Sequence, residues 1–271
     1  MNASANSFWN IAPFNAMFFI SFLFFVAILV AASILLRKKS EKTRRVVIAV
    51  AMIVAFVSFW IYKIALSLDT DYAKICEAAG TGTGKFNWFS ELPFQLCNIN
   101  LIMVPIAVLT KKRPLLSFCF FTAPLGAMLA LLMPAIGFEG YSILLPRMLG
   151  YYFTHYMVII GGLSVVTFGI YRPRLRDIPG SLLAIIGVSF FSFCISMLFR
   201  VTKLDLHANY FYSVETEGNA ILDIFHKIVP VPYLYLLCSV VIIVPYMLIM
   251  IGIVALCTRS WKKQEPEEEA K

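Results

Sequence analysis

The chain has 271 residues, 60% of them hydrophobic and 14% charged, with a mean hydropathy of +0.82. No single water-surrounded core buries that much apolar surface, which excludes an ordinary soluble enzyme or binding domain and leaves lipid as the solvent. The net charge of +8 sits in alternate loops between apolar stretches, so it reads as a topology signal and no nucleic-acid partner is expected.

A spanning helix needs roughly 20 mostly apolar residues, because the hydrocarbon layer is about 30 Å thick and each helical residue rises about 1.5 Å. Such stretches run over 14–36, 46–66, 92–110, 115–135, 148–170, 179–199 and 232–257. The expected fold class is therefore all-α, a polytopic membrane bundle of about seven helices. It forms one transmembrane domain over 1–263, followed by a short charged tail over 264–271.

The first stretch has no Lys or Arg before it and is too long for a signal-peptide core, so it is expected to be retained. Arg37, Lys38, Lys39, Lys42, Arg44 and Arg45 follow it. Lys111, Lys112 and Arg113 follow the third span; Arg172, Arg174 and Arg176 follow the fifth; Arg259, Lys262 and Lys263 follow the last. The opposite loops carry Asp69, Asp71, Glu77, Glu91, Glu139, Asp205, Glu215, Glu217 and Asp223. By the positive-inside rule the basic face is cytoplasmic, the N-terminus outside and the C-terminus inside.

The six cysteines form no disulfide framework: only Cys76 falls clearly in an outer loop, and Cys119, Cys194, Cys238 and Cys257 sit within spans as small apolar packers. Polar side chains inside spans are costly, and those positions are where function is sought. The first such cluster opens the third span: Ser90, Glu91, Pro93, Gln95, Cys97, Asn98 and Asn100, with Ser90 a candidate N-cap and Pro93 in the first turn. Gln95, Cys97, Asn98 and Asn100 point to most sides of the helix, so lipid cannot cover this end. Near a helix start, unpaired N–H groups and the macrodipole favour negative charge on a thiol. Cys97 is thus a candidate nucleophile, the alternative being a small buried residue beside amides that link helices.

The second cluster opens the fifth span: Arg147, Tyr151, Tyr152, Thr154, His155 and Tyr156. His155 is the one histidine of three inside a predicted span. Counted in helical rise, it lies about 12 Å beyond Arg147 and Cys97 about 9 Å beyond Glu91, from the same face. A thiol and an imidazole at matching depth are the minimum pair for thiolate catalysis, the histidine taking the thiol proton and returning one to the leaving group. The alternative for His155 is a hydrogen bond between helices. A third polar stretch, His207 to Tyr212, lies in the long outer loop; there Asn209 offers an oxyanion donor, and Tyr210 and Tyr212 suit an interfacial aromatic belt. Cys97, His155, His207 and His226 lack any diagnostic metal spacing, so no metal and no cofactor is expected.

At these residues the sequence resembles the YwaF-type bacterial integral membrane proteins, whose animal relatives are described as cysteine-dependent phospholipid acyltransferases. The similarity runs through most of the chain. It is carried by Leu92-Pro93-Phe94-Gln95-Leu96-Cys97, Met133-Pro134, Phe153-Thr154-His155, Tyr171-Arg172-Pro173 and Ala208-Asn209-Tyr210. It departs from the family pattern at Val231-Pro232-Tyr233 and at Ser213. The resemblance implies Cys97 as nucleophile and His155 as base. It also implies membrane phospholipids and lysophospholipids as partners, in a cell membrane, the bacterial plasma membrane.

The expected function is accordingly a lipid acyltransferase or acyl hydrolase, with Gln95, Asn98, Asn100, Asn209 and Tyr210 as substrate-binding or oxyanion candidates. A small-molecule transporter or channel and a membrane sensor without chemistry are the alternatives. The nearly apolar inner halves Val104 to Leu109 and Val165 to Ile170 favour a site closed below. No feature of the sequence sets an oligomeric state.

The orientation is testable in intact cells with an impermeant thiol reagent. A cysteine introduced at position 42 should stay unlabelled and one at position 80 should label, because the cation bias is repeated in four loops. The reverse pattern would turn the molecule over and move the candidate site to the cytoplasmic face.

Overall fold

The computed structural model describes the backbone of residues 7–78 and 86–264 and side chains through Cys257, so the tail expected over 264–271 lies, after Gln264, outside the described residues. In chain order the helices are α1 (Ala16–Leu36), α2 (Glu41–Ser67), α3 (Thr70–Ala78), α4 (Leu96–Thr110), α5 (Arg113–Leu132), α6 (Pro146–Thr167), α7 (Ile178–Val201), α8 (Ala220–Ile228), α9 (Leu234–Leu237) and α10 (Val240–Gln264). Strands β1 (Asn10–Ile11) and β2 (Tyr141–Ser142) pair antiparallel and join the chain ahead of α1 to the chain ahead of α6.

Among the described residues six helices are long and apolar enough to cross a membrane, and the shorter apolar α4 stands where the third span was expected. The chain is an all-α polytopic bundle. Local chemistry sets the helix ends: the Asn15 side chain accepts from the Phe18 N–H at 2.9 Å to start α1, and the Ser40 hydroxyl accepts from the Thr43 N–H at 3.2 Å to start α2. Prolines 114 and 146 stand in the first turns of α5 and α6, where a missing N–H leaves no bond unmade.

Of the boundaries that differ from the sequence reading, two have a proline behind them. The third helix begins at Leu96 rather than at 92, with Gln95 and not Ser90 at its N-cap. Pro93 keeps Leu92 out of helical conformation, and the Phe94 N–H turns back to the Leu92 carbonyl at 2.8 Å. The last long helix begins at Val240 rather than at 232. Pro232 and a left-handed Tyr233, at φ 66°, precede it, leaving only the single turn α9 between.

The bundle has two distinct ends. At the basic end, two cations close the C-termini of helices: Arg45 donates to the Val108 and Leu109 carbonyls at 2.6 and 2.8 Å, and Arg44 donates to the Phe168 carbonyl. Arg113, at the start of α5, makes a forked pair at 2.8 and 2.6 Å with Asp177, which precedes α7. At the other end Arg147 pairs with Asp69 at 2.5 Å and Lys63 pairs with Glu91.

α2, α4, α5 and α6 form the enclosed centre, while α1 and α10 keep most of their surface toward the bilayer. Close approach within that centre rests on small residues, since lipid gives helices no hydrophobic reason to associate. At Gly162 of α6 an added Cβ would stand 2.6 Å from the Ala123 Cβ, and at Gly150 it would overlap the Tyr62 Cβ outright.

The Gly150 contact has a measurable consequence. Gly150→Ala should destabilise the protein by about 1–3 kcal/mol, because the clash is with a Cβ and only backbone movement relieves it. Gly187→Ala, with open space around it, should be neutral or slightly stabilising. Thermal unfolding in one detergent compares them; equal midpoints would show that α2 and α6 do not meet as described.

Candidate active site

At 15 residues α4 spans only about 22 Å, less than the hydrocarbon layer. The rest of that crossing is made by non-helical chain over 86–95. Such backbone survives near a membrane only where protein groups satisfy it. Here Ser192 of α7 donates to the Phe94 carbonyl at 3.0 Å, Tyr210 donates its hydroxyl to the Phe89 carbonyl, and Asn87 reaches the Leu204 carbonyl at 3.2 Å.

Gln95 stands at the N-cap in extended conformation but makes no side-chain cap. Its Oε1 instead accepts the Phe211 N–H at 2.8 Å. The first turn bond of α4 runs from the Ile99 N–H to the Gln95 carbonyl at 2.9 Å. The amides of Leu96, Cys97 and Asn98 therefore have no carbonyl ahead of them. Two of these, its own N–H and that of Asn98, act electrostatically on the Cys97 sulfur. Its thiol also meets the Asn98 Oδ1 at 3.7 Å. Negative charge at this sulfur would face backbone donors and the positive end of a helix.

His155 is buried in α6, and its Nδ1 lies 2.7 Å from the Tyr151 carbonyl. A carbonyl only accepts, so Nδ1 carries the proton, and in the neutral ring Nε2 keeps its lone pair. Tyr151 covers the imidazole at 4.2 Å between ring centroids and donates its hydroxyl to the Ala130 carbonyl at 2.6 Å. Two residues reach both members of the pair. Tyr151 touches His155 and feels charge on Cys97; the Lys63 ammonium acts electrostatically on both Cys97 and His155. The structure thus gathers Cys97, Asn98, Tyr62, Lys63, Tyr151 and His155 into one buried cluster between α2, α4 and α6.

The remaining sequence candidates hold the framework. Asn100 is fully buried and ties α4 to α5, donating to the Leu96 carbonyl at 2.8 Å and to the Thr122 hydroxyl at 3.1 Å. Asn209 organises the outer loop: it donates to the Glu215 carbonyl and Glu217 carboxylate at 2.8 and 2.7 Å and accepts the Val214 N–H at 2.9 Å. Burial pushes the Glu217 carboxyl above the usual carboxylate range against that Asn209 bond. The Tyr210 backbone N–H donates to the Ser196 hydroxyl oxygen at 2.9 Å, and its ring packs on Phe94 at 5.3 Å. Next to it Phe211 and Tyr212 are left-handed, at φ 65° and 53°. Burial, with Glu217 and Cys97 nearby, pushes the Tyr212 phenol above its ordinary value, which sets the strained turn beside the thiol.

Sequence reasoning singled out Cys97 and His155 but passed over Lys63, four residues before the end of α2. The signal was available: it is a lone ammonium inside an apolar span, which is costly without a partner. Asp205 carries a buried carboxylate oxygen with no partner in the described residues.

Bundle and cluster together define a multi-pass α-helical membrane protein with a buried thiol and imidazole at one membrane face. Compared with protein-family models, residues 8–251 match the TMEM164 family, and the chain belongs to that family. No curated protein and no solved structure matches it.

Proposed function

We propose that this protein transfers acyl chains between membrane lipids through a thioester on Cys97. The observation that carries the reading is the position of the Cys97 sulfur against the unclaimed amides of α4, in a buried cluster that also holds His155 with its free ring nitrogen. The motif resemblance to YwaF-type proteins, with animal relatives described as cysteine-dependent phospholipid acyltransferases, supports it from the sequence side. A lateral cavity of about 300 Å³ between α1, α5, α6 and α10 adds a place for a chain. Its lining is aliphatic and aromatic, including Phe25, Met128, Tyr156 and Ile160, about a quarter turn around α6 from His155.

In the proposed cycle, His155 Nε2 takes the Cys97 thiol proton as the sulfur bonds to the ester carbonyl carbon. The carbonyl oxygen becomes an oxyanion facing the amides at the start of α4, with Asn98 the nearest of the amide side chains. On collapse the carbon–oxygen ester bond breaks, the leaving alkoxide takes the proton from His155, and a lysophospholipid departs. A second lysophospholipid hydroxyl, or water, then gives its proton to His155 and attacks the thioester; the Cys97 sulfur leaves and is reprotonated. Tyr151 orients the imidazole through its carbonyl and its ring.

Placed by the positive-inside rule, the cluster faces the outer side, and acyl-CoA, being cytoplasmic and highly charged, does not reach it across apolar helix halves. The donor is then a phospholipid or another lipid ester. Purified protein in vesicles with labelled phospholipid and a lysophospholipid acceptor should move label without CoA and with ping-pong kinetics. Cys97→Ala should abolish transfer, and His155→Ala should slow it about 10²–10⁴-fold. Full activity in Cys97→Ala, or strict dependence on acyl-CoA, would overturn the reading; movement of an intact polar solute with no acyl transfer would replace it with the transporter alternative.

A further inference from the structure

We propose that Lys63, held in place by Glu91, supplies the fixed positive charge that balances the negative charge arising on the Cys97 sulfur and passing to the carbonyl oxygen of the attacked ester. The assignment rests on the acyl-transfer reading of the same site, and it adds a charge that lies outside the quoted motifs. An ammonium buried within a spanning helix is expensive, and a pair serving stability alone is often no better than apolar residues of the same volume. Lys63 is nevertheless buried at 6% exposure, its ammonium 4.6 Å from the Tyr62 ring and 5.3 Å from that of Phe59.

The pair is directional. The Lys63 charge acts on Cys97 and His155, the two reacting groups. Both charges act on Tyr62 and Tyr210, and Glu91 acts also on Tyr72, but only Lys63 acts on the thiol and the imidazole. The pair thus presents its cation to the thiol and the imidazole. Glu91 belongs to the non-helical chain leading into α4, so the ion pair also fixes where the unclaimed amides stand relative to α2. Charge bookkeeping is closed: a neutral thiol and imidazole become thiolate and imidazolium, the negative charge moves from sulfur to oxygen, and the Lys63–Glu91 pair keeps its protons throughout. Lys63 lowers the energy of the anionic end without giving or taking a proton, and Glu91 is a positioning residue.

The test separates this assignment from the transfer reading by measuring thiol chemistry apart from turnover. Full-length wild type, Lys63→Met, Lys63→Gln and Lys63→Arg are reconstituted in vesicles, their folding is checked by thermal unfolding, and N-ethylmaleimide modification of Cys97 is followed by peptide mass spectrometry, with Cys194 as internal reference. Lys63→Met or Lys63→Gln, whichever unfolds cooperatively, should modify Cys97 about tenfold more slowly with Cys194 unchanged. Lys63→Arg, which keeps the charge, should stay within about threefold of wild type. Wild-type rates in a folded neutral variant, or an arginine variant as slow as the neutral ones, would overturn the proposal. Acyl transfer is measured on the same preparations: if wild type moves no acyl chain while the neutral variant still slows alkylation, the transfer reading fails and the electrostatic assignment stands.

Discussion

The structure turns on one constraint, that backbone N–H and C=O groups near the membrane interior must find partners within the protein. Pro93 and the extended Gln95 stop α4 from starting where its apolar stretch starts, leaving a non-helical approach over 86–95. The protein answers with side chains from elsewhere: Ser192 on the Phe94 carbonyl, Tyr210 on the Phe89 carbonyl, and Gln95 on the strained turn at Phe211. Ser192 and Ser196 on the buried face of α7, and the tight turn at 209–213, are explained by this demand. So is the unpaired start of α4, where the amides left over are those that face Cys97.

The same economy sorts the polar residues of the site. Asn100, Thr122, Asn209 and Gln95 use their donors and acceptors on neighbouring helices and loops, so their bonding is structural. Cys97 and Nε2 of His155 differ, because neither ties two helices together, and Lys63 joins them in one buried cluster while its ammonium pairs with Glu91. Close packing makes that arrangement rigid. Gly150 lets Tyr62 press against α6 one turn from His155, and Gly126 brings α5 to within van der Waals reach of the Cys97 amide. A loosely packed bundle would let the buried charge of Lys63 relax away from the thiol.

The sequence made the bundle legible because span length and alternating cations are statements about lipid, and every expected span has its helix. It made Cys97 and His155 legible through cost, as polar residues where hydrocarbon penalises them. Depth counting succeeded for His155, which lies inside α6, and failed for Cys97, because the six residues after Glu91 are mostly not helical and do not rise 1.5 Å each. The oxyanion candidates could not be sorted from sequence, since whether Asn100 or Asn209 is free depends on Thr122 and Glu217, partners 22 and 8 residues away. Lys63 escaped for a related reason: its meaning lies in Glu91, 28 residues on and across a loop.

The central claim is covalent chemistry at one sulfur, and trapping the intermediate tests it most directly. Wild-type protein in vesicles is given phospholipid alone, quenched in acid and analysed by peptide mass spectrometry with and without neutral hydroxylamine. The account predicts a fatty acyl group on Cys97, released by hydroxylamine and cleared when lysophospholipid is supplied. Acyl transfer proceeding at full rate with Cys97 unmodified, or with the acyl group on another residue, would contradict it.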